Sequence, residues 1–388
     1  MTRELQFLTE LISTTLYNET LPEVPKGFSW DLFANLVLQN GFITLVHEHL
    51  NNIPKVPSKI LSVLNEQYKE EFQRALLQDV YGEKILERFE QEGIKCMPLK
   101  GIILKHLYPQ FYMRRMSDLD ILIDIRNLKE TRQIMTDLGF EAWRFDEHHD
   151  VYTYFSYVNV ELHKLLLVGK LEEYFKIGFE RAKLKRGSSY IYEMSIEDFY
   201  IHMIGHMASH FVHSGMGIRV VLDVRVYLDR YETVMNQVYL EKELKEAGLY
   251  TFTKHIEKLS AILFKDEPSN GFYDDLTEYI MKSGYLGNDK HRDILEVVKK
   301  NDSEKRWGAR KRAIIDAIFL PYKSMCFTYP ILKKVPALLP CAWVVRWITV
   351  LTKRRNNIGR LQKISQASSV EVEKLSELYE KMGMKHLL

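Results

Sequence analysis

The chain has 388 residues, 46% hydrophobic and 27% charged, the composition of a folded globular protein with room for two or three subdomains. A net charge of only +2 removes any global electrostatic case for nucleic-acid binding. The three cysteines, Cys96, Cys326 and Cys341, lie far apart with neither paired nor zinc-binding spacing, so a reducing, cytoplasmic setting is expected.

In chain order, MTRELQFLTELISTTLYNET carries acids and hydroxyls where a secretion signal needs a basic start and an unbroken apolar run. Residues 1–92 read as a helical region. Ser29 is placed to cap SWDLFANLVLQNGFITLVHEHL, and LLQDVYGEKILERFEQEGI has apolar residues at helical spacing up to Gly93. Residues 93–190 read as a small α/β core: the strand KCMPL, a short helix KGIILKHLYP stopped by Pro109, the strand DLDILIDI, and a helix LKETRQIMTDLGF ending at Gly139. The strand-like runs EAWRFDE, DVYTYFSYV and NVELHKLLL follow. Residues 191–304 read as a helical domain and residues 305–388 as a basic, amphipathic helical region. The fold class expected is α+β, a mixed-sheet core flanked by N-terminal and C-terminal helical regions. No run of about 18 apolar residues argues for a spanning helix.

The strand DLDILIDI poses a physical problem. Alternate side chains of a strand share a face, so Asp118 and Asp120 point the same way and repel, which invites a cation. A pair of same-face carboxylates suits hard divalent ions that take oxygen ligands, Mg2+ or Mn2+, and Glu161 in NVELHKLLL offers a third, with His163 on its own face. D-x-D at a strand end also serves simply as surface charge. Ahead of the pair, Leu99–Gly101 forms a strand-to-helix turn where Gly101 lets backbone N–H groups approach a phosphate. Lys100, Arg114, Arg115 and Ser117, next to the aspartates, add candidate phosphate contacts, and His163 is expected among the nucleotide-binding residues.

These residues carry a resemblance. LKG, then RRMSDLD, then VELHKLL resembles the nucleotidyltransferase superfamily typified by DNA polymerase β. More narrowly, it resembles a family of uncharacterised bacterial nucleotidyltransferases whose signature is L-K-G, R-x-x-D-h-D (h for hydrophobic) and a strand acid near a histidine. The resemblance covers roughly residues 30 to 280. It implies that Asp118, Asp120 and Glu161 are metal ligands and catalytic residues, that Gly101 is the phosphate-turn glycine, and that Arg115 is the signature arginine. A nucleoside triphosphate and an acceptor of unknown identity would be the substrates. Two departures stand out: Ile102 follows Gly101 where the superfamily usually has Ser or Gly, so Lys100 is expected to replace the missing hydroxyl, and the third acid is Glu rather than Asp. The alternatives are a toxin-like transferase acting on tRNA and a nucleotide-binding or scaffold protein without turnover.

Two further features stand apart. His202, His206, His210 and His213 fall along one stripe of a helix. Zinc ligation, a phosphate or base contact by His206 and His210, and a buried polar seam all fit this spacing. Arg219 and Asp223, four apart, are expected to pair along the next helix. Between Pro321 and Arg360 there are eight Lys or Arg and no acid, with Trp343 and Trp347 beside Arg346 and the run from Lys353 to Arg355. That pattern suits peripheral contact with an anionic membrane at its inner face or with RNA, and equally an apolar face packed on the protein itself.

Overall fold

The computed structural model describes residues 1–155, 157–176, 178–283, 319–320, 322, 325–326, 329–353 and 369–387. Four helices open the chain: α1 Arg3–Tyr17, α2 Trp30–Asn40, α3 Ile43–Leu50 and α4 Ser58–Gln91. The side chain of Ser29 caps α2 by accepting from the amide of Leu32. The stretch that reads as continuous in sequence breaks after Asn40, where Gly41 takes the left-handed conformation (φ 70°) that ends α2.

The core sheet follows: β1 Cys96–Pro98, the short helix α5 Gly101–Leu104, β2 Leu119–Ile123, α6 Leu128–Asp137, β3 Glu141–Phe145, β4 His149–Tyr154 and β5 Val158–His163. The spatial order is β1-β2-β5-β4-β3. β2 and β5 run parallel, and the other neighbouring pairs run antiparallel. The mixed sheet expected from sequence is present.

One periodicity builds both faces. Leu119, Ile121 and Ile123 of β2 join Val158, Val160 and Leu162 of β5 in a buried cluster with Ile85 and Phe89 of α4 and Ile134 and Met135 of α6. The alternate residues, Asp120 on β2 and Glu161 and His163 on β5, therefore emerge on the opposite face. The long helix α4 is thus one wall of the sheet's core.

Beyond the sheet come α7 Glu172–Phe175, a two-stranded ribbon of β6 Ala182–Leu184 and β7 Tyr192–Met194, and the helices α8 Ile196–His213, α9 Ile218–Tyr231, α10 Gln237–Glu246, α11 Tyr250–Phe264 and α12 Gly271–Ser283. Gly205 lets α8 lie close to its neighbours, since a Cβ there would come within 2.8 Å of Phe175 and 2.9 Å of Leu167.

The chain divides into two compact units. The first comprises Met1–His210, Met216–Tyr285 and Leu387, and contains the sheet. The second comprises Phe211–Gly215, Leu286–His386 and Leu388, and includes α13 Leu339–Lys353 and α14 Ser369–Lys381. Within it Met325, Cys326, Leu332 and Ala342 form a small core, and the indole of Trp343 donates to the carbonyl of Leu320 at 3.0 Å. Phe319 packs edge-on against both Trp343 and Trp347 at 5.1 Å, while Val344 and Val345 are exposed. Much of the aromatic surface of the basic region is thus packed within its own unit. Lys323, Arg354, Arg355 and Arg360 of that region lie outside the described residues. Among the described residues no helix is long and apolar enough to cross a membrane.

Candidate active site

Parallel pairing of β2 with β5 sets Asp120 directly beside Glu161. His163, two residues further along β5, turns its Nε2 to within 2.7 Å of Asp120 Oδ1 and 3.6 Å of Glu161 Oε2. One donor atom from each of Asp120, Glu161 and His163 lies within 4.8 Å of the others, and among the described residues this is the one cluster of three metal-ligating donors. The trio expected from sequence contained Asp118 instead of His163. Asp118 lies one residue ahead of β2 and borders the cluster, close enough for the charges of Asp120 and Glu161 to act on it.

Lys100 completes the arrangement from the turn after β1. Its ammonium donates to Asp120 Oδ1 at 2.7 Å and approaches Nε2 of His206 on α8 at 3.0 Å. Its backbone takes φ 40° and ψ −110°, a conformation that L side chains seldom adopt. Gly101 beside it packs against the loop ahead of β2: a Cβ there would come within 2.7 Å of Met116 Sδ and 2.8 Å of Arg114 Nη1.

The two aspartates differ sharply in acidity. Burial works to raise the pKa of Asp120, but Lys100 and His163 overcome it and hold the carboxyl well below its ordinary value. Burial, and then the charge of Asp120, push Asp118 up to about 7. Protons thus leave the pair in two widely separated steps. Burial, followed by the charge of Lys100, drives His206 well below its ordinary value, so it meets Lys100 as a neutral acceptor.

Arg114, Arg115 and Ser117 occupy the loop ahead of β2. Arg114 is buried and donates from Nε and Nη2 to the two carboxylate oxygens of Asp223 at 2.7 and 2.8 Å, with Tyr108 donating to the same group at 2.8 Å. Its evident work is to fasten the loop before β2 to α9. Asp223 therefore takes Arg114, where sequence spacing pairs it with Arg219, whose guanidinium reaches the carbonyl of Arg115. Arg115 lies with Nε 3.0 Å from the buried carboxylate of Glu71 on α4. Ser117 is half-buried in the same loop. On α8 the histidine stripe runs from buried His202 through half-buried His206 to exposed His210 and His213, and His206 and His210 meet at 3.1 Å.

Sequence reasoning passed over His149 and Asp150. His149 sits across from His163 in the β4–β5 register, ring centroids 5.6 Å apart, and its Nε2 is 2.7 Å from Arg144. Asp150, fully buried, binds Arg132 and Lys164 at 2.7 Å each and ties α6 to the end of β5. His149 stands one residue ahead of the strand-like run DVYTYFSYV, and only strand order shows that it adjoins His163.

A family described as uncharacterised nucleotidyltransferases matches residues 26–265, well over half of the chain. The chain belongs to this family. It is accordingly an enzyme that transfers nucleotidyl groups. The match spans β1 to β5 together with α8 and α9, so every residue of the cluster lies inside it. No curated protein and no solved structure gives a match.

Proposed function

We propose that the protein moves a nucleoside monophosphate from a nucleoside triphosphate to a hydroxyl of an acceptor, with a divalent cation, Mg2+ or Mn2+, held by the carboxylates of the sheet. The observation that carries this reading is the side-by-side placement of Asp120 and Glu161, with Asp118 one residue ahead of β2 and the ammonium of Lys100 seated on Asp120. The donor set fits a divalent ion: clustered carboxylates already drawing one positive charge to themselves. When bound, the ion would polarise the α-phosphate and stabilise the leaving pyrophosphate.

The chain's own residues supply the rest. The acceptor oxygen forms its bond to the α-phosphorus as the bond from that phosphorus to the bridging oxygen of pyrophosphate breaks. Glu161, the acid contributed from a separate strand, takes the hydroxyl proton, directly or through one water. Lys100 hands its charge from Asp120 to a phosphate oxygen when the cation arrives, serving where a turn hydroxyl is missing. His206 and His210 border the nucleotide from α8, and Gly101 and Ser117 line its phosphate side. This chemistry is that of the DNA polymerase β-like superfamily. Peripheral contact of residues 321–360 with an anionic membrane or RNA remains part of the proposal, carried by the cations of that stretch.

The test is transfer of label from each α-labelled nucleoside triphosphate to components of a cell extract, with Mg2+ or Mn2+, by wild type and by an Asp118→Ala, Asp120→Ala double variant. Label moved by wild type alone supports the reading and leads to the acceptor, tRNA among them. Nucleotide bound without pyrophosphate release under every condition would replace it with the binding-only alternative, which Ile102 in the turn favours.

A further inference from the structure

The imidazole of His163 is aimed at the carboxylates. Its Nε2 lies 2.7 Å from Asp120 Oδ1 and 3.6 Å from Glu161 Oε2, and its side chain is 13% exposed. The register of β4 and β5 sets the ring of His149 beside it, tilted and with centroids 5.6 Å apart, and Arg144 and Asp146 flank His149 at 2.7 and 3.7 Å. The orientation is therefore built from four strands: Asp120 on β2, Glu161 and His163 on β5, His149 on β4 and Arg144 on β3. Donors about 2.1 Å from one ion lie roughly 3 Å apart when adjacent and about 4.2 Å apart when opposite. The mutual spacing within 4.8 Å of Asp120, Glu161 and His163 meets that requirement with small adjustments.

We propose that His163 is itself a metal ligand, so that the site is a nitrogen-and-oxygen set of Asp120, Glu161 and His163 that prefers a first-row transition ion such as Mn2+ to Mg2+. This rests on the metal-dependent reading above and makes it more specific. Mg2+ is a hard ion that takes oxygen and keeps its waters, whereas imidazole nitrogen favours transition metals. To ligate, the ring carries its proton on Nδ1 and gives the Nε2 lone pair to the ion, exchanging the hydrogen bond with Asp120 for a shared cation. Glu161 and His163 are two residues apart on one strand face, so the same backbone segment presents both. His163 is then part of what selects the ion.

Pulsed electron paramagnetic resonance of Mn2+ on the full-length protein without nucleotide reads the ligand directly, because a coordinated imidazole imprints a nitrogen coupling that carboxylates and water do not. Wild type should bind Mn2+ with that coupling and keep it against a large excess of Mg2+. His163→Gln should lose the coupling and bind Mn2+ at least about tenfold more weakly, and Asp120→Asn should lose the site. Mn2+ bound in an Asp120-dependent way without nitrogen coupling, or with coupling that survives in His163→Gln, overturns the role of His163 and leaves the carboxylate site standing. No Asp120-dependent Mn2+ binding overturns the metal-dependent reading itself. The wild-type spectrum alone decides if the glutamine variant fails to fold.

Discussion

Lys100 is the residue where backbone and charge meet. It occupies a positive-φ position that glycine would fill without strain, yet its ammonium neutralises the buried carboxylate of Asp120. Separating the two effects gives a direct prediction. Lys100→Ala should lower Tm by several degrees in chelator, since it keeps the strain and strands a buried charge, and Mn2+ should restore most of the loss by replacing the missing cation. Lys100→Gly should be the more stable of the two variants by about 1 kcal/mol, measured by urea unfolding, because it removes the strain as well. Both should raise the KM for nucleoside triphosphate. At the neighbouring position Gly101→Ala should destabilise by about 1–3 kcal/mol in the same assay. The thioether of Met116 can shift aside, but Arg114 is pinned to Asp223 and cannot follow freely. Residue identities at the turn were legible in sequence, and their reasons only partly so: Gly101 reads as a phosphate-turn glycine, whereas its close packing under Met116 and Arg114 is visible only once the loop is folded over it.

Among the elements, β2, β5 and α8 carry the site, and they differ in how plainly the sequence declares them. Period-two alternation in DLDILI and VNVELH separates core from site face without any knowledge of pairing, so Asp120 and Glu161 were readable as partners. The roles of Arg114 and Asp223 were not, because 109 positions separate them and the nearer Arg219 offers the conventional helical spacing. His149 was hidden for a similar reason, since its meaning depends on which strand lies beside β5. For α8 the stripe was clear but its gradient of burial was not. Burial, helped by the charge of Lys100, lowers His202 to about 3. The sign follows from proton binding: the unfolded chain takes up a proton near pH 6.5 and the folded chain does not, so stability from this group is complete above about 6.5 and falls as acid is added. As pH falls from 6.5 to 5 the urea unfolding free energy should drop ever more steeply, approaching about 1.4 kcal/mol per pH unit near pH 5 on account of His202 alone. His202→Asn should flatten that slope by about one proton, and an unchanged slope would mean that the ring titrates normally.

For the whole molecule, the first unit holds the sheet, the cluster, α8 as far as His210 and the helices α9 to α12, and the second holds a small core of its own. Sequence division into four parts reflects changes of composition along the chain, whereas three-dimensional packing recruits α4 into the sheet's core through Ile85 and Phe89. Periodicity reveals which face of α4 is apolar, and long-range packing decides what covers that face. The thiols report on folding across both units. Cys96 on β1 is fully buried, and burial followed by the charge of Glu90 pushes its thiol up to about 12. Cys326 is buried and Cys341 exposed. Native protein should therefore release one equivalent of colour promptly with an aromatic disulfide reagent, and three in denaturant. A second rapid equivalent in native protein would show that one of the two cores opens readily.

The parallel register of β2 and β5 makes the candidate site and the core two readings of one text. A substitution at Glu161 edits a single letter, but one residue inserted within β5 shifts the frame, turning apolar side chains of the strand to the carboxylate face and its polar ones towards α4 and α6. Point changes on this strand can be tolerated one face at a time. Changes in its length cannot, so among functional descendants of this sequence the spacing from Val158 to His163 should be kept more strictly than any apolar side chain within it.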